Sequence, residues 1–359
     1  MMHDLQFLPP EIQGSSAWYG PALLRQTDWI YHLSETETKE VEAAVNGLAS
    51  TPENLSNISP DDFPLPTFGP RLQSLLGEVL DGRGFVLLRS LPVERWSNRQ
   101  TTIAFLGIGS HLGNLRSQNA DGHLLGHVRD LGRSSNDPNV RIYQTRERQT
   151  FHTDSCDVVG LLCLSTARSG GLSSLVSSIT IFNEMRRRRP DLARVLFEPI
   201  ETDRRGEVAE GEKPYFEIPV FNWHAGLLSA IYQRQYIESA RRFSDVQPLT
   251  PAQIEGLDLL DELANDPQLH LMMELQRGDM QFVHNHTVLH DRTAFEDWPE
   301  PGRKRHLLRL WLAPPSARPL PAVFAERFGS VVPGDRGGVI PRSIKPTVVL
   351  GTDDLDWSK

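Results

Sequence analysis

The chain has 359 residues, of which 39% are apolar and 23% charged, and its formal net charge is −9. That much apolar material can bury a real core, so a disordered polymer is excluded. The acidic balance argues against a non-specific nucleic-acid binder, which needs a strong positive field to release counterions from phosphates.

The two cysteines, Cys156 and Cys163, are too few for a disulfide scaffold and lack zinc-ligand spacing, so a reducing, cytoplasmic setting is expected. The N-terminus has no basic start followed by an apolar run, which speaks against a secretory signal. No stretch approaches the roughly 20 apolar residues that span a bilayer. The expected partner is therefore a small molecule, with no nucleic acid and no membrane. The oligomeric state is open, and a homo-oligomer is compatible with everything read here.

In chain order, Ser34 and Glu37 form a capping box that opens a helix to about Leu48. Residues 51–70 read as loop, and residues 72–80 as helix. Gly82 and Gly84 precede the apolar run Phe85 to Leu88, which suits a buried strand. The pattern then turns to β. Strands are expected over 141–143, 158–166 and 172–178, with Gly170 and Gly171 as a turn. Residues 182–197 read as helix, and Arg186 to Arg189 as its solvated basic end. Residues 215–221 alternate, 227–232 follow, and Thr250 to Gln253 is a second capping box, with Pro251 at the first helical position. The apolar face of that helix is Ile254, Leu257, Leu260 and Leu263. Residues 279–289 and 306–312 return to β.

Short strands with turn signals and flanking helices predict a mainly β fold with flanking helices, a sandwich or jelly roll. No glycine-rich phosphate loop follows a strand, so a nucleotide-binding α/β fold has little support.

The chemistry concentrates in three segments. His152-Thr153-Asp154 is an H-x-D motif, and on a strand end residues two apart aim at one point. Alone this three-residue pattern is a weak signal. Residues 278–290 hold His284, His286 and His290, which share a parity if they lie on one strand, so period alone does not choose among them. Residues 303–312 bring Arg305 and Arg309, four apart and thus on one strand face. Two imidazoles and one carboxylate leave three positions of an octahedral ion open, a geometry that suits non-haem Fe(II).

Four elements together resemble the taurine/2,4-D dioxygenase superfamily, which includes clavaminate-synthase-like amino acid oxygenases. They are His152-Thr153-Asp154, then Gly170 to Ser173, then Asn285 five residues before His290, then Arg305 and Arg309. The match covers about residues 85–312.

The resemblance implies a double-stranded β-helix, Fe(II) as metal, and 2-oxoglutarate and O₂ as cosubstrates. It also implies hydroxylation or desaturation of a small carboxylate- or amino-acid-like substrate, with release of succinate and CO₂. By position, His152, Asp154 and His290 would ligate iron, and Arg305 would pair with the distal carboxylate of 2-oxoglutarate. Ser173 stands where relatives often carry threonine, and Arg309 stands where they touch cosubstrate or substrate. Asp154 speaks against halogenation, since halogenating relatives have a small residue there.

Candidate substrate-side residues are Arg309, His286, Asp157, Gln118, Tyr143 and Gln144. For each the blander reading is a packing or solvated role, as it is for His284, His270, His306 and Asp291. One oxygenase domain over 1–359 is expected, with a mainly helical part at 1–84, a jelly-roll core at 85–312 and a C-terminal wrap at 313–359. Two other classes compete: a non-catalytic ligand-binding jelly roll, and a zinc hydrolase on the same triad, which would have no use for Arg305.

Overall fold

The strand Phe85–Arg89 has almost no exposed side chain, because both its faces are covered. In the computed structural model, which describes residues 8–49, 55–133, 142–208, 211–339 and 344–350, it belongs to a seven-stranded sheet. From one edge the sheet runs Ile30–His32, Phe85–Arg89, Met280–His284, Val158–Ser165, His306–Ala313 and Asn114–Leu115, with Leu125–Val128 also pairing to His306–Ala313. A four-stranded sheet runs Leu271–Met273, Ser173–Ser177, Val288–Arg292 and Gln149–His152.

Period-two alternation distributes the apolar side chains. Phe85, Leu87, Val159, Val283, Leu307 and Trp311 of the large sheet share one cluster with Leu175, Val288 and Leu271 of the small one. This is the jelly-roll interior. Val86, Leu88, Val158, Leu162, Phe282 and Leu308 point the other way, onto the helices Glu35–Ala49, Phe68–Leu80 and Asn98–Ser110. Behind the small sheet, Phe151, Val176 and Leu289 pack on Ser178–Arg188 and Pro251–Asn265. The strands are apolar on both faces because each sheet is buried on both. Among the described residues, no helix is long and apolar enough to cross a membrane.

Several expectations are corrected. Residues 142–144 form a 3₁₀ turn, not a strand; Arg141 lies outside the described residues. The helix expected over 182–197 is two, Ser178–Arg188 and Pro190–Val195, because the residue before proline is pushed from the α region; Arg189 has φ −145° and ψ 72°. Residues 215–221 split at Pro219 into Tyr215–Ile218 and part of Phe221–His224, which pair with different strands. Ile254 is 42% exposed, and the buried face of its helix is Gly256, Leu257, Leu260, Leu263 and Ala264.

Residues 279–289 are not one strand. Met280–His284 and Val288–Arg292 lie in different sheets, so His284, His286 and His290 have no common parity. The helix Asn98–Ser110 was not anticipated: residues 101–109 are all buried, which erases the 3.6-residue amphipathic period, and its one sequence signal, the capping box of Ser97 and Gln100, was passed over.

Candidate active site

His290 and His152 are register partners on adjacent antiparallel strands of the small sheet. Their rings stand 4.2 Å apart, centroid to centroid. Asp154 follows just past the end of the strand Gln149–His152 and turns back toward both. Asp154 Oδ1 is 3.9 Å from His152 Nε2, and Oδ2 is 3.9 Å from His290 Nε2. One ligand atom from each residue lies within 4.8 Å of the other two. This is the two-histidine, one-carboxylate set that suits non-haem Fe(II).

The supporting contacts fit a metal. His152 Nδ1 donates to the Thr150 carbonyl at 2.8 Å, which makes Nε2 the acceptor; its lone pair takes an N–H from Gln149 Nε2 at 2.8 Å, a contact that a metal on Nε2 would replace. The Asp154 backbone N–H donates to Asn285 Oδ1 at 2.9 Å, and Trp311 Nε1 donates to Asp154 Oδ2 at 2.9 Å. Burial raises the Asp154 carboxyl, but Arg309, His290 and His152 outweigh it and hold the group below the usual carboxylate range. Burial holds His290 neutral, down to about 3.

Two chambers meet at the triad and share Tyr143, Gln149, His152, Asp154 and Arg309. The first also holds Ser173, Gln281, Arg292 and Arg305. Arg305 is 5% exposed, and burial lowers its guanidinium to about 10, so it remains a cation at neutral pH. Its Nη1 is buried with no partner, while its backbone N–H is held by Asp297 Oδ1 at 2.7 Å. A buried guanidinium with an orphaned donor is a place for a carboxylate. Ser173 Oγ, in the same chamber, lies 3.1 Å from Gln281 Oε1.

Residues 48–311 match the family described as "Taurine catabolism dioxygenase TauD, TfdA family". The chain belongs to this family. The "FR-33289 synthase" of Streptomyces rubellomurinus is 29% identical over 90% of this chain and 97% of its own. A taurine hydroxylase-like protein of Stachybotrys chartarum is 32% identical over 86% and 83%. Among solved structures, an asparagine oxygenase in complex with Fe(II), hydroxyasparagine and succinate superposes with a TM-score of 0.62 at 16% identity, over 79% of this chain and 93% of that one. The protein is a TauD-type non-haem iron, 2-oxoglutarate-dependent dioxygenase with a jelly-roll core.

The remaining residues nominated from the sequence of this TauD-family member separate into two groups. Arg309 and Tyr143 line both chambers, with the Arg309 guanidinium 4.7 Å above the Tyr143 ring and 5.0 Å from that of Trp311. Gln118 lines the second, but its amide is spent on Arg309 Nε at 2.7 Å and on the Leu124 and Arg309 carbonyls.

His286, Asp157 and Gln144 line neither chamber. Asp157 is fully buried and accepts from Arg336 Nε at 3.0 Å, and His286 Nε2 lies 2.7 Å from it. An acid so paired has no capacity left for a substrate amine. Gln144 ends the 3₁₀ turn Ile142–Gln144, and its Oε1 accepts from Arg133 Nη1 at 3.4 Å. His284 is buried against Thr287, and His306 is not a surface residue but pairs with His127 at 2.9 Å. Asp291 lines the first chamber but is held by Arg148 at 2.7 Å.

Sequence reasoning missed Gln149, Arg292, Glu207, Gln233 and Arg327. Arg292 was within reach, since it stands two residues from His290 on the same strand and so shares its face. It donates to the Thr145 carbonyl at 3.0 Å and also to that of Glu147, and burial with Arg305 nearby lowers it to about 9. The other four carry no pattern tying them to the triad.

Proposed function

We propose that His152, Asp154 and His290 bind Fe(II), that Arg305 and Ser173 hold 2-oxoglutarate in the first chamber, and that the substrate is a small carboxylate- or amino-acid-like molecule in the second. The product is an alcohol formed at an unactivated C–H bond. The observation that carries this reading is the triad's position at the junction of two chambers, one of which ends in the orphaned Arg305 donor. The taurine hydroxylase-like relative and the asparagine oxygenase fold-mate carry names that point to amino-acid-like substrates.

Bound there, iron with 2-oxoglutarate and O₂ supplies the oxidant for C–H cleavage. The chain's own residues do the rest. Arg305 offers a planar fork to a carboxylate. Asn285 and Trp311 fix Asp154 from its backbone and its side chain. Val159, Leu161, Leu275 and Leu307 keep the first chamber dry, which strengthens each charged contact. We also place the enzyme in the cytoplasm, because both cysteines are buried free thiols.

The test is metal stoichiometry with product analysis. The protein binds about one Fe(II) per chain, and Asp154→Ala or His290→Ala weakens binding sharply. Succinate forms only when iron and 2-oxoglutarate are both supplied. Hydrolytic activity with zinc and no succinate with iron would overturn the reading.

A further inference from the structure

Past the wall that Gln233, Glu207 and Arg327 give the second chamber lies a further cleft. The two share Thr153, Ser155, Gln233, Tyr236 and Arg327. Thr153 and Ser155 are the chain neighbours of Asp154, so the cleft opens beside the metal triad. Its far walls are apolar: Phe216, Ile218, Val220, Ile231 and Ile237. They come from two separate clusters. Phe216 and Ile218 pack with Leu320, Phe324 and Phe328, whereas Val220 and Ile237 belong to the cluster behind the small sheet. The cleft is the seam between them. Protein interiors pack to near crystal density, so an apolar seam that opens onto an active site calls for an occupant.

The polar groups around it are mostly spent on each other. Thr153 Oγ1 accepts from the Tyr232 backbone N–H at 2.9 Å, and Ser155 Oγ accepts from Arg327 Nε at 2.8 Å. Arg327 Nη2 meets Glu207 Oε2 at 3.3 Å. Deeper in, the hydroxyls of Thr202 and Tyr232 donate to the Ile200 carbonyl and to Asp261. Gln233 differs. It stands at the N-cap of the helix Arg234–Ala240, but its side chain makes no cap bond, and its Oε1 is buried with no partner among the described residues. Such an acceptor is costly unless a donor reaches it. The neck therefore asks for one N–H or O–H, and the walls beyond it carry no charge.

We propose that this cleft is a substrate subsite for an apolar arm, an alkyl chain or an aryl ring, whose root carries an N–H or O–H that donates to Gln233 Oε1. The inference rests on the oxygenase reading above and extends it. The polar head sits in the second chamber, and Ile218, Val220, Ile231 and Ile237 set how far the arm reaches.

The experiment uses the iron-loaded protein, kept free of oxygen, with N-oxalylglycine in place of 2-oxoglutarate so that nothing turns over. The probes are three straight-chain series: 2-amino acids from alanine to 2-aminooctanoate, 2-hydroxy acids from lactate to 2-hydroxyoctanoate, and plain carboxylates from propionate to octanoate. Calorimetry reads binding. Affinity rises about fourfold per methylene until the cleft is full. The better of the two donor-bearing series binds at least fivefold tighter than plain carboxylates of equal length, and Gln233→Leu removes that margin. Val220→Phe and Ile231→Phe, which fill the cleft, each end the rise at a shorter chain. N-oxalylglycine binding shows which variants fold.

No gain with chain length in any series overturns the proposal. So does an unchanged rise in folded Val220→Phe and Ile231→Phe; the cleft is then a packing gap, and filling it only raises the melting temperature. A donor margin that survives Gln233→Leu, or none in wild type, removes the Gln233 contact. Failure of the oxygenase reading looks different: iron-loaded wild type does not bind N-oxalylglycine and forms no succinate from 2-oxoglutarate under any condition.

Discussion

At Arg305 burial and charge pull in opposite directions. The side chain is 5% exposed, and desolvation brings its pKa down to about 10, yet no carboxylate lies within ion-pair distance among the described residues. The fold tolerates a buried cation that a ligand will neutralise. A hydrogen bond to a charged group contributes about 1.5–3 kcal/mol, so Arg305→Gln is expected to weaken 2-oxoglutarate binding by roughly 10- to 150-fold. Arg305→Lys recovers only part, because an ammonium lacks the fork. Titration calorimetry on the metal-loaded protein checks both. If Arg309→Gln abolishes 2-oxoglutarate binding while Arg305→Gln leaves it intact, the two roles are reversed.

The motif residues work because of the elements around them. Gly171 has φ +70°, and a Cβ there would sit 2.9 Å from Arg305 Nε. Glycine is required for the backbone conformation and for the approach of the guanidinium. Gly171→Ala is therefore expected to raise the KM for 2-oxoglutarate several-fold while iron stoichiometry stays near one; an unchanged KM would count against the close approach. The segment after Ala313 is equally part of the site. Arg336 is fully buried and grips Asp157, three residues from Asp154, while Gly338 N–H donates to the Ser155 carbonyl at 2.7 Å. Arg336→Met leaves a buried carboxylate with His286 as its remaining side-chain hydrogen-bond partner among the described residues, which costs about 3–5 kcal/mol. Urea denaturation should show that loss, along with weaker Fe(II) binding from the loosened 154–157 loop. A midpoint within error of wild type would remove the C-terminal segment from the account of the site.

Across the whole molecule, buried histidines set the acid limit. His284 is held neutral by burial, with Arg318, His286 and Arg336 adding to the effect; His306 likewise, with His127, Arg129 and Arg305 beside it. Both folded-state pKa values lie well below 6.5, near which the unfolded chain titrates, so acid favours the unfolded state. Stability is whole above about pH 6.5 and falls below it, by up to about 1.4 kcal/mol per pH unit for each such group. Melting temperatures from pH 7.5 to 5.5 should fall, and His306→Asn should make the fall shallower; identical slopes would argue against the assignment. Much of this architecture was legible in one dimension. The strands Phe85–Arg89, Val158–Ser165 and His306–Ala313 announced themselves by short β-branched and aliphatic runs, and the helices Glu35–Ala49 and Pro251–Asn265 by their capping boxes. The triad was nominated by a spacing shared with a family, which only a locally encoded motif can carry. Parity was a poor guide to the three histidines, because it holds only within one strand and the turn at 285–287 moves the chain from one sheet to the other. The consumption of Asp157 by Arg336, 179 residues away, and the meeting of Glu207, Gln233 and Arg327 in one wall depend on long-range packing. No local period or spacing reports which distant side chains a fold will neutralise and which it will leave unpaired for a ligand.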